Sequence, residues 1–538
     1  MSSFKMKLEE MFGLDLRSLA VFRIAIAAVM LVDLLVRATD LGAFYTDSGV
    51  LPRSVLLSKT PYLSSISVHL WNGTPLFQAL LFILAGVGAI GLLIGYRTRS
   101  MTCLCWFLTA SLHARNFLVL QGGDDYLRMS LFWSMFLPLE ARWSVDSARR
   151  LPSDKIPDRV FSWGTFAFTF QTILLYVSTA IFKSRGDNWL DGSALYYALS
   201  LDCFAKRPAF ILLLFPKLLK FMTRGVLAFE FLGSFLFISP VWNGPIRTLG
   251  VFGFWSLHLG IMMTMAIGLF QWVSLAVATA FLPPWFWHYA LRPLNALRKR
   301  VGVQAICLSL QRVITPWLDS IPRTKLNLSS SFYSAPIILF FLFCIICWDL
   351  SLLYPQRYPL PRVLNDICVT THVTQRWAMF SPNITKTSGW FVIPGKLRNG
   401  AILDLYNRGQ PLSWSTPPLI SSYYKNDRWR KYLMNMSSRN MRAYRIDFSR
   451  YLCRSWNSSH SEDEKLNSLE LIFVDRRNLP DYRTTIYERT VLWQAYCSEE
   501  GKRSGPTLPS LPFRTEKNTN PSDNNAPKRL IYDSPYAP

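Results

Sequence analysis

Ionisable side chains inside apolar stretches carry the chemistry that can be read from this chain. Each such group costs roughly 2.5–3.5 kcal/mol on insertion scales, so its presence asks for a reason. Lys183 closes one apolar stretch and is followed by Asp187-Asn188-Trp189 and Asp191-Gly192-Ser193. At a border between apolar helix and water, desolvation disfavours an ammonium and leaves an amine that can act as a base. The competing reading is an anchor that snorkels to the interface. Gly122-Gly123-Asp124-Asp125-Tyr126 falls at the end of another stretch, on the same side as Lys183. Arg128 follows, and either neutralises Asp124 or Asp125 or points to the outer interface. Glu230 and His258 have no ionisable partner near them in sequence, so they either bridge helices or line a cavity. Asp33 and Arg37 are spaced i, i+4 at the end of their helix and are expected to form an interfacial pair. Arg23 is expected to snorkel or to pair helices, and His113 and Arg115 lie in a further apolar stretch. No zinc-like pair of CxxC motifs is present: Cys344 and Cys347 sit inside an apolar run, so no metal is expected.

The elements that must hold these residues follow from composition. Of 538 residues, 50% are hydrophobic and 17% charged, against about a quarter charged in an ordinary soluble domain. The 58 basic and 34 acidic residues leave a net charge of +24, but the basic residues lie between apolar runs of membrane-crossing length. That pattern suits anchoring of membrane helices rather than nucleic acid. It excludes a soluble enzyme, a disordered protein and a nucleic-acid binder. Candidate spans are 18–36, 76–95, 101–120, 125–139, 163–182, 218–240, 247–268, 271–288 and 334–354, giving eight or nine crossings. Ala209 to Phe215 is too short to cross and reads as re-entrant.

The 289–333 loop has seven Lys/Arg against Asp319 alone, the 140–162 loop has five, and Arg97 and Arg99 lie in a turn on the same side. The positive-inside rule makes that side and the N-terminus cytoplasmic. The C-terminal part then lies in a lumen or outside, which the sequons at Asn383, Asn435 and Asn457 fit. The expected organisation is an all-α polytopic membrane domain over 1–291, a basic cytoplasmic loop over 292–333 and a last transmembrane helix over 334–354. A smaller α+β domain over 355–500 and a disordered tail over 501–538 follow. In that domain Asn399-Gly400 signals a hairpin between Trp390–Pro394 and Ala401–Tyr406. Leu469–Val474 and Thr490–Ala495 read as strands, and Tyr423–Met436 as a basic, aromatic helix. An oxidising compartment makes one disulfide plausible, with Cys453 and Cys497 as the candidate pair.

Ordered motifs carry a family resemblance. Ala43-Phe44-Tyr45-Thr46-Asp47-Ser48-Gly49-Val50-Leu51-Pro52-Arg53, Gly122-Gly123-Asp124-Asp125, Phe136-Leu137-Pro138-Leu139 and Phe182-Lys183 with Trp189-Leu190-Asp191-Gly192 resemble the horizontally transferred transmembrane (HTTM) domain. This membrane domain is shared with vitamin K-dependent gamma-carboxylase. Trp377-Ala378-Met379-Phe380-Ser381-Pro382 and Trp429-Arg430-Lys431-Tyr432-Leu433 extend the pattern. The resemblance implies a quinol-dependent carboxylase and epoxidase, a lyase, in which Lys183 is the base that deprotonates reduced vitamin K or a related quinol. The acceptor would be a peptidyl Glu. Asp124 stands where the carboxylase has a functional His, so Asp124 and Asp125 become the supporting catalytic groups. Trp189, Gly192, Arg128, His258 and Glu230 are the expected lining of the substrate or cofactor pocket. The larger propeptide-binding lumenal part of the carboxylase has no counterpart here. The alternative is a non-enzymatic protein that binds a quinone or lipid, or a scaffold with a lumenal interaction domain.

Overall fold

The computed structural model describes residues 3–60, 66–149, 156–298, 334–480 and 483–497. Its larger part is a helical bundle. The helices that matter here are α1 (Leu16–Ala38), α2 (Pro75–Ile94), α3 (Thr98–Arg115), α4 (Gly122–Ser134), α5 (Trp163–Lys183), α6 (Pro216–Gly233), α7 (Asn243–Thr264), α8 (Leu269–Thr279), α9 (Pro284–Arg298) and α10 (Ser334–Leu353). Local chemistry sets their starts. The Asp15 side chain accepts from the Arg17 N–H ahead of α1, Ser162 and Thr165 form a capping box on α5, and Pro75 and Pro216 occupy first turns, where their missing N–H costs nothing.

Among the described residues, six helices are long and apolar enough to cross a membrane: α1, α2, α5, α6 continued to Ile238, α7 and α10. A seventh is added if α8 and the following helix, bent by 94° at their break, count as one. The bend falls at Pro283-Pro284, where backbone donors are lost. The expected segments 101–120 and 125–139 fold as α3 and α4 without meeting that standard. α4 has 13 residues, nearly all buried, and α3 buries His113 and Arg115 in its last turn. α4 is sheathed by neighbours and needs no apolar outer face, whereas α3 bares Arg99, Ser100, Cys103 and Phe107 in its first half. The re-entrant expectation falls on a short helix, Arg207–Leu212, that runs directly into α6.

α1 packs on α2 and α8, α2 on α3, α5 on α6 and α10, and α7 on α8. At one face of the bundle Arg247 at the start of α7 donates to the Gly13 carbonyl at 2.8 Å, and Ser18 near the start of α1 donates to Leu282 just after α8. The other face receives the C-terminal domain. That domain comprises α11 (Arg362–Thr370), a six-stranded antiparallel sheet, α12 (Asp427–Ser437) and α13 (Arg445–Asn457). Its strands are β1 (Thr387–Val392), β2 (Pro394–Leu397), β3 (Ile402–Asp404), β4 (Gln410–Pro411), β5 (Leu466–Arg477) and β6 (Glu488–Tyr496). β5 is the spine. β1 and β2 pair in succession along one of its edges, with Trp390 opposite Val474 and Gly395 opposite Leu469, and β6 lies along the other. The β2–β3 hairpin turns through Gly400 at φ 88°, the left-handed geometry that Asn-Gly foretells. Cys453 on α13 and Cys497 after β6 form a disulfide with Cα atoms 5.5 Å apart. Most of the basic 292–333 loop and the whole of the 501–538 tail lie outside the described residues.

Candidate functional site

Two polar clusters occupy the face of the bundle that meets the C-terminal domain. The first centres on Lys183. α5 delivers this residue in its last turn, where a cation complements the helix dipole. α6 brings Glu230 against it: Lys183 Nζ lies 2.7 Å from Glu230 Oε1 and 2.6 Å from Oε2, with side chains only 7% and 8% exposed. Lys183 therefore does not snorkel. The Trp189 ring covers the ammonium at 4.4 Å, and its indole N–H donates to the Phe380 carbonyl at 2.9 Å. Two glycines allow this. Gly192, at φ 88°, turns the chain after the short Trp189 helix. At Gly186 a Cβ would fall 1.7 Å from the Pro382 carbonyl oxygen, so only glycine lets the C-terminal segment close over the site.

Two helical turns below Lys183, the Tyr176 hydroxyl lies 2.9 Å from His258 Nε2. Tyr126 and Ser274 lie near the Tyr176 hydroxyl, and Thr172 near that of Tyr126. Lys183 is within electrostatic reach of His258, and Glu230 of Tyr176. Phe254 packs on Tyr176 at 4.2 Å and Phe270 on His258 at 5.6 Å between ring centres. The other imidazole nitrogen, His258 Nδ1, is buried with no hydrogen-bond partner among the described residues. Buried polar atoms are seldom left so.

The second cluster centres on Asp124, which is fully buried at the start of α4. Asp33 and Arg37 pair as their spacing predicts, at 2.7 Å, but inside the protein rather than at an interface. Arg37 also reaches Asp124 and donates to the Tyr45 hydroxyl at 2.8 Å. Arg428 of α12 closes the ring, 2.6 Å from both Asp33 and Asp124. Two carboxylates and two guanidiniums thus balance. Burial works against the Arg428 charge, and the Asp124 and Asp33 carboxylates outweigh it, raising its pKa well above the ordinary value. His113 Nε2 stands 3.5 Å from Asp124, with His113 Nδ1 3.3 Å from Arg128. Arg128 is fully buried, pairs with Asp125 at 2.8 Å, and donates to the His372 and Thr374 carbonyls at 2.9 and 2.6 Å. His372 is itself held down to about pKa 4, by burial first and by Arg128 second.

Of the residues expected from sequence, Lys183, Glu230 and Trp189 come together, with His258 joined through Tyr176. Gly192 serves the turn that carries Trp189. Asp124, Asp125 and Arg128 gather in the second cluster, and the acid beside Lys183 is Glu230. Sequence reasoning missed Tyr176 and Arg428, and singled out His113 only as an ionisable residue in an apolar stretch. A tyrosine within an apolar helix carries no local signal, and Arg428 meets Asp124 across 304 residues of chain.

The sequence model of the HTTM domain matches residues 13–286. The chain belongs to the HTTM domain family. The matched region includes Lys183, Glu230, His258 and Asp124, whereas Arg428 and the Phe380 carbonyl come from the part of the chain beyond it. Neither a curated protein nor a solved structure matches the chain.

Proposed function

We propose that this HTTM protein is a membrane enzyme that removes a proton from the hydroxyl of a lipid-soluble quinol, with Lys183 and Glu230 handling the proton. The observation that carries this reading is the two-pronged Lys183–Glu230 pair, buried beneath Trp189, with the Tyr176–His258 pair two helical turns below. A hydroxyl seated against both groups receives a hydrogen bond from Lys183 Nζ and gives its proton to a Glu230 oxygen. The retained ammonium then faces the negative charge left on the quinol oxygen, so the net charge of the site is unchanged. Preorganised charge of this kind acts strongly where water is excluded. The aromatic wall of Trp189, Tyr176, Phe254 and Phe270 suits an apolar ring, and His258 Nδ1 offers its second oxygen a partner. A reduced vitamin K or related quinol supplies reducing equivalents for oxygen activation when bound, and a peptidyl Glu is the acceptor in the carboxylase-like form of this reading. Asp124 and Asp125 act as positioning residues. Asp125 orients Arg128, which grips the segment running from His372 to the Phe380 carbonyl that holds Trp189.

In the same reading the bundle crosses the membrane nine times, with the N-terminus and the 289–333 loop cytoplasmic and the C-terminal domain on the lumenal or external side. The test is oxidation of reduced vitamin K and simpler quinols by protein in nanodiscs, comparing wild type with Lys183→Met and Glu230→Gln. Loss of turnover in both variants, with folding retained, is the expected result. The ion-pair ring that locks the C-terminal domain to the bundle favours a second reading, a quinone- or lipid-binding scaffold, which wild type inactive on every quinol would leave standing.

A further inference from the structure

The start of α6 carries a surface that the proton-transfer reading does not use. In α6 and the short helix before it, Phe210, Ile211, Leu214, Phe215, Leu218 and Phe221 are exposed, Leu214 and Phe221 each by 74%. Lys217, Lys220 and Arg224 share this exposed stretch. Their i, i+3, i+7 spacing aligns them in one stripe along the helix. None of the three has a carboxylate partner among the described residues, although ion pairs are formed throughout the rest of the molecule. Lys217 lies in the first turn of α6, a position that favours anions over cations. Large apolar side chains bared beside unpaired cations, at the start of a helix apolar enough to cross a membrane, have one fitting environment: acyl chains next to negatively charged headgroups.

We propose that the Lys217–Lys220–Arg224 stripe is a binding surface for anionic lipid, with the headgroup phosphates on the cations and the acyl chains against Leu214, Leu218 and Phe221. The surface adjoins the Lys183 site, since Lys220 packs against Gly192 in the turn after Trp189. Its occupant is a membrane component and not a substrate of that site. The interaction is electrostatic at the headgroup and apolar below it, so it discriminates by charge. Each Lys or Arg near an anionic surface is worth about fivefold in affinity, and all three together give on the order of 100-fold.

The test uses full-length protein in detergent with equal amounts of phosphatidylglycerol and phosphatidylcholine, and native mass spectrometry to count the lipids retained. Wild type should retain phosphatidylglycerol in preference, by at least about fivefold. The triple variant Lys217→Gln, Lys220→Gln, Arg224→Gln should bring the ratio near one. The variant Lys217→Arg, Lys220→Arg should keep the preference, as should Arg439→Gln with Arg442→Gln on the C-terminal domain. A wild-type ratio near one, or a preference that survives the triple Gln variant, overturns the proposal. If the triple variant does not fold, a salt titration of wild type decides: loss of the preference with rising salt supports the stripe, and a salt-insensitive ratio refutes it.

Discussion

Replacing Lys183 by Met should destabilise the bundle far more than replacing Lys183 and Glu230 together. At about 2.6 Å, the attraction between the two charges is about 6 kcal/mol for an effective dielectric near 20. Desolvation of two nearly enclosed ions costs several kcal/mol each, so the intact pair is close to neutral in its net effect on stability. Each single variant, Lys183→Met or Glu230→Gln, leaves one buried charge alone, which falls in the roughly 3–5 kcal/mol range for breaking a buried pair from one side. Lys183→Met with Glu230→Leu should lie within about 2 kcal/mol of wild type. Unfolding in an SDS titration reads all three variants. Single variants as stable as the double one would falsify the buried ion pair.

Three further outcomes test the surrounding structure. Arg428→Gln strands Asp33 and Asp124 and should cost about 3–5 kcal/mol, loosening α12 so that hydrogen exchange there rises sharply; unchanged protection would contradict the ring. His69 and His372, both buried outside the spans, are each held down to about pKa 4, with burial the largest cause. Their contribution is fully present above about pH 6.5 and is lost as pH falls through about 4, up to about 3 kcal/mol for each. Acid unfolding should therefore steepen in that window, and His372→Asn should flatten it. Cys453→Ser opens a loop closed across 44 residues, which should cost about 4 kcal/mol on the chain-entropy estimate; reductant should destabilise wild type and leave the variant unmoved.

Apolar length and loop charge made the helical bundle and its polar C-terminal appendage legible in sequence, because crossing a bilayer demands long runs that nothing else explains. The Asn399-Gly400 turn and the strands β1, β3, β5 and β6 were legible, but the strand read at Trp390–Pro394 is β1 paired on β5, and the hairpin partner of β3 is β2, Pro394–Leu397. The short apolar segments were harder to read. α3 and α4 look like spans by composition, yet α4 and the second half of α3 are enclosed by neighbours and bury charge. Lys183 and Trp189 were readable because they sit in one motif. Glu230 was singled out as a charge without a partner, and only the packing of α6 on α5 supplied one. Asp124 looked reactive because two acids stand together at a helix start, and its partners Arg37 and Arg428 lie one helix and one domain away. Local sequence reports the oddity of a buried charge, and tertiary packing decides what answers it.

Turnover of a reduced quinol by purified protein in nanodiscs tests the central claim most directly, measured for wild type, Lys183→Met and Glu230→Gln. Oxidised product from wild type, abolished in both variants while they remain folded, is the predicted result. Product formed at the wild-type rate by either variant, or none from folded wild type with any quinol tried, would contradict it.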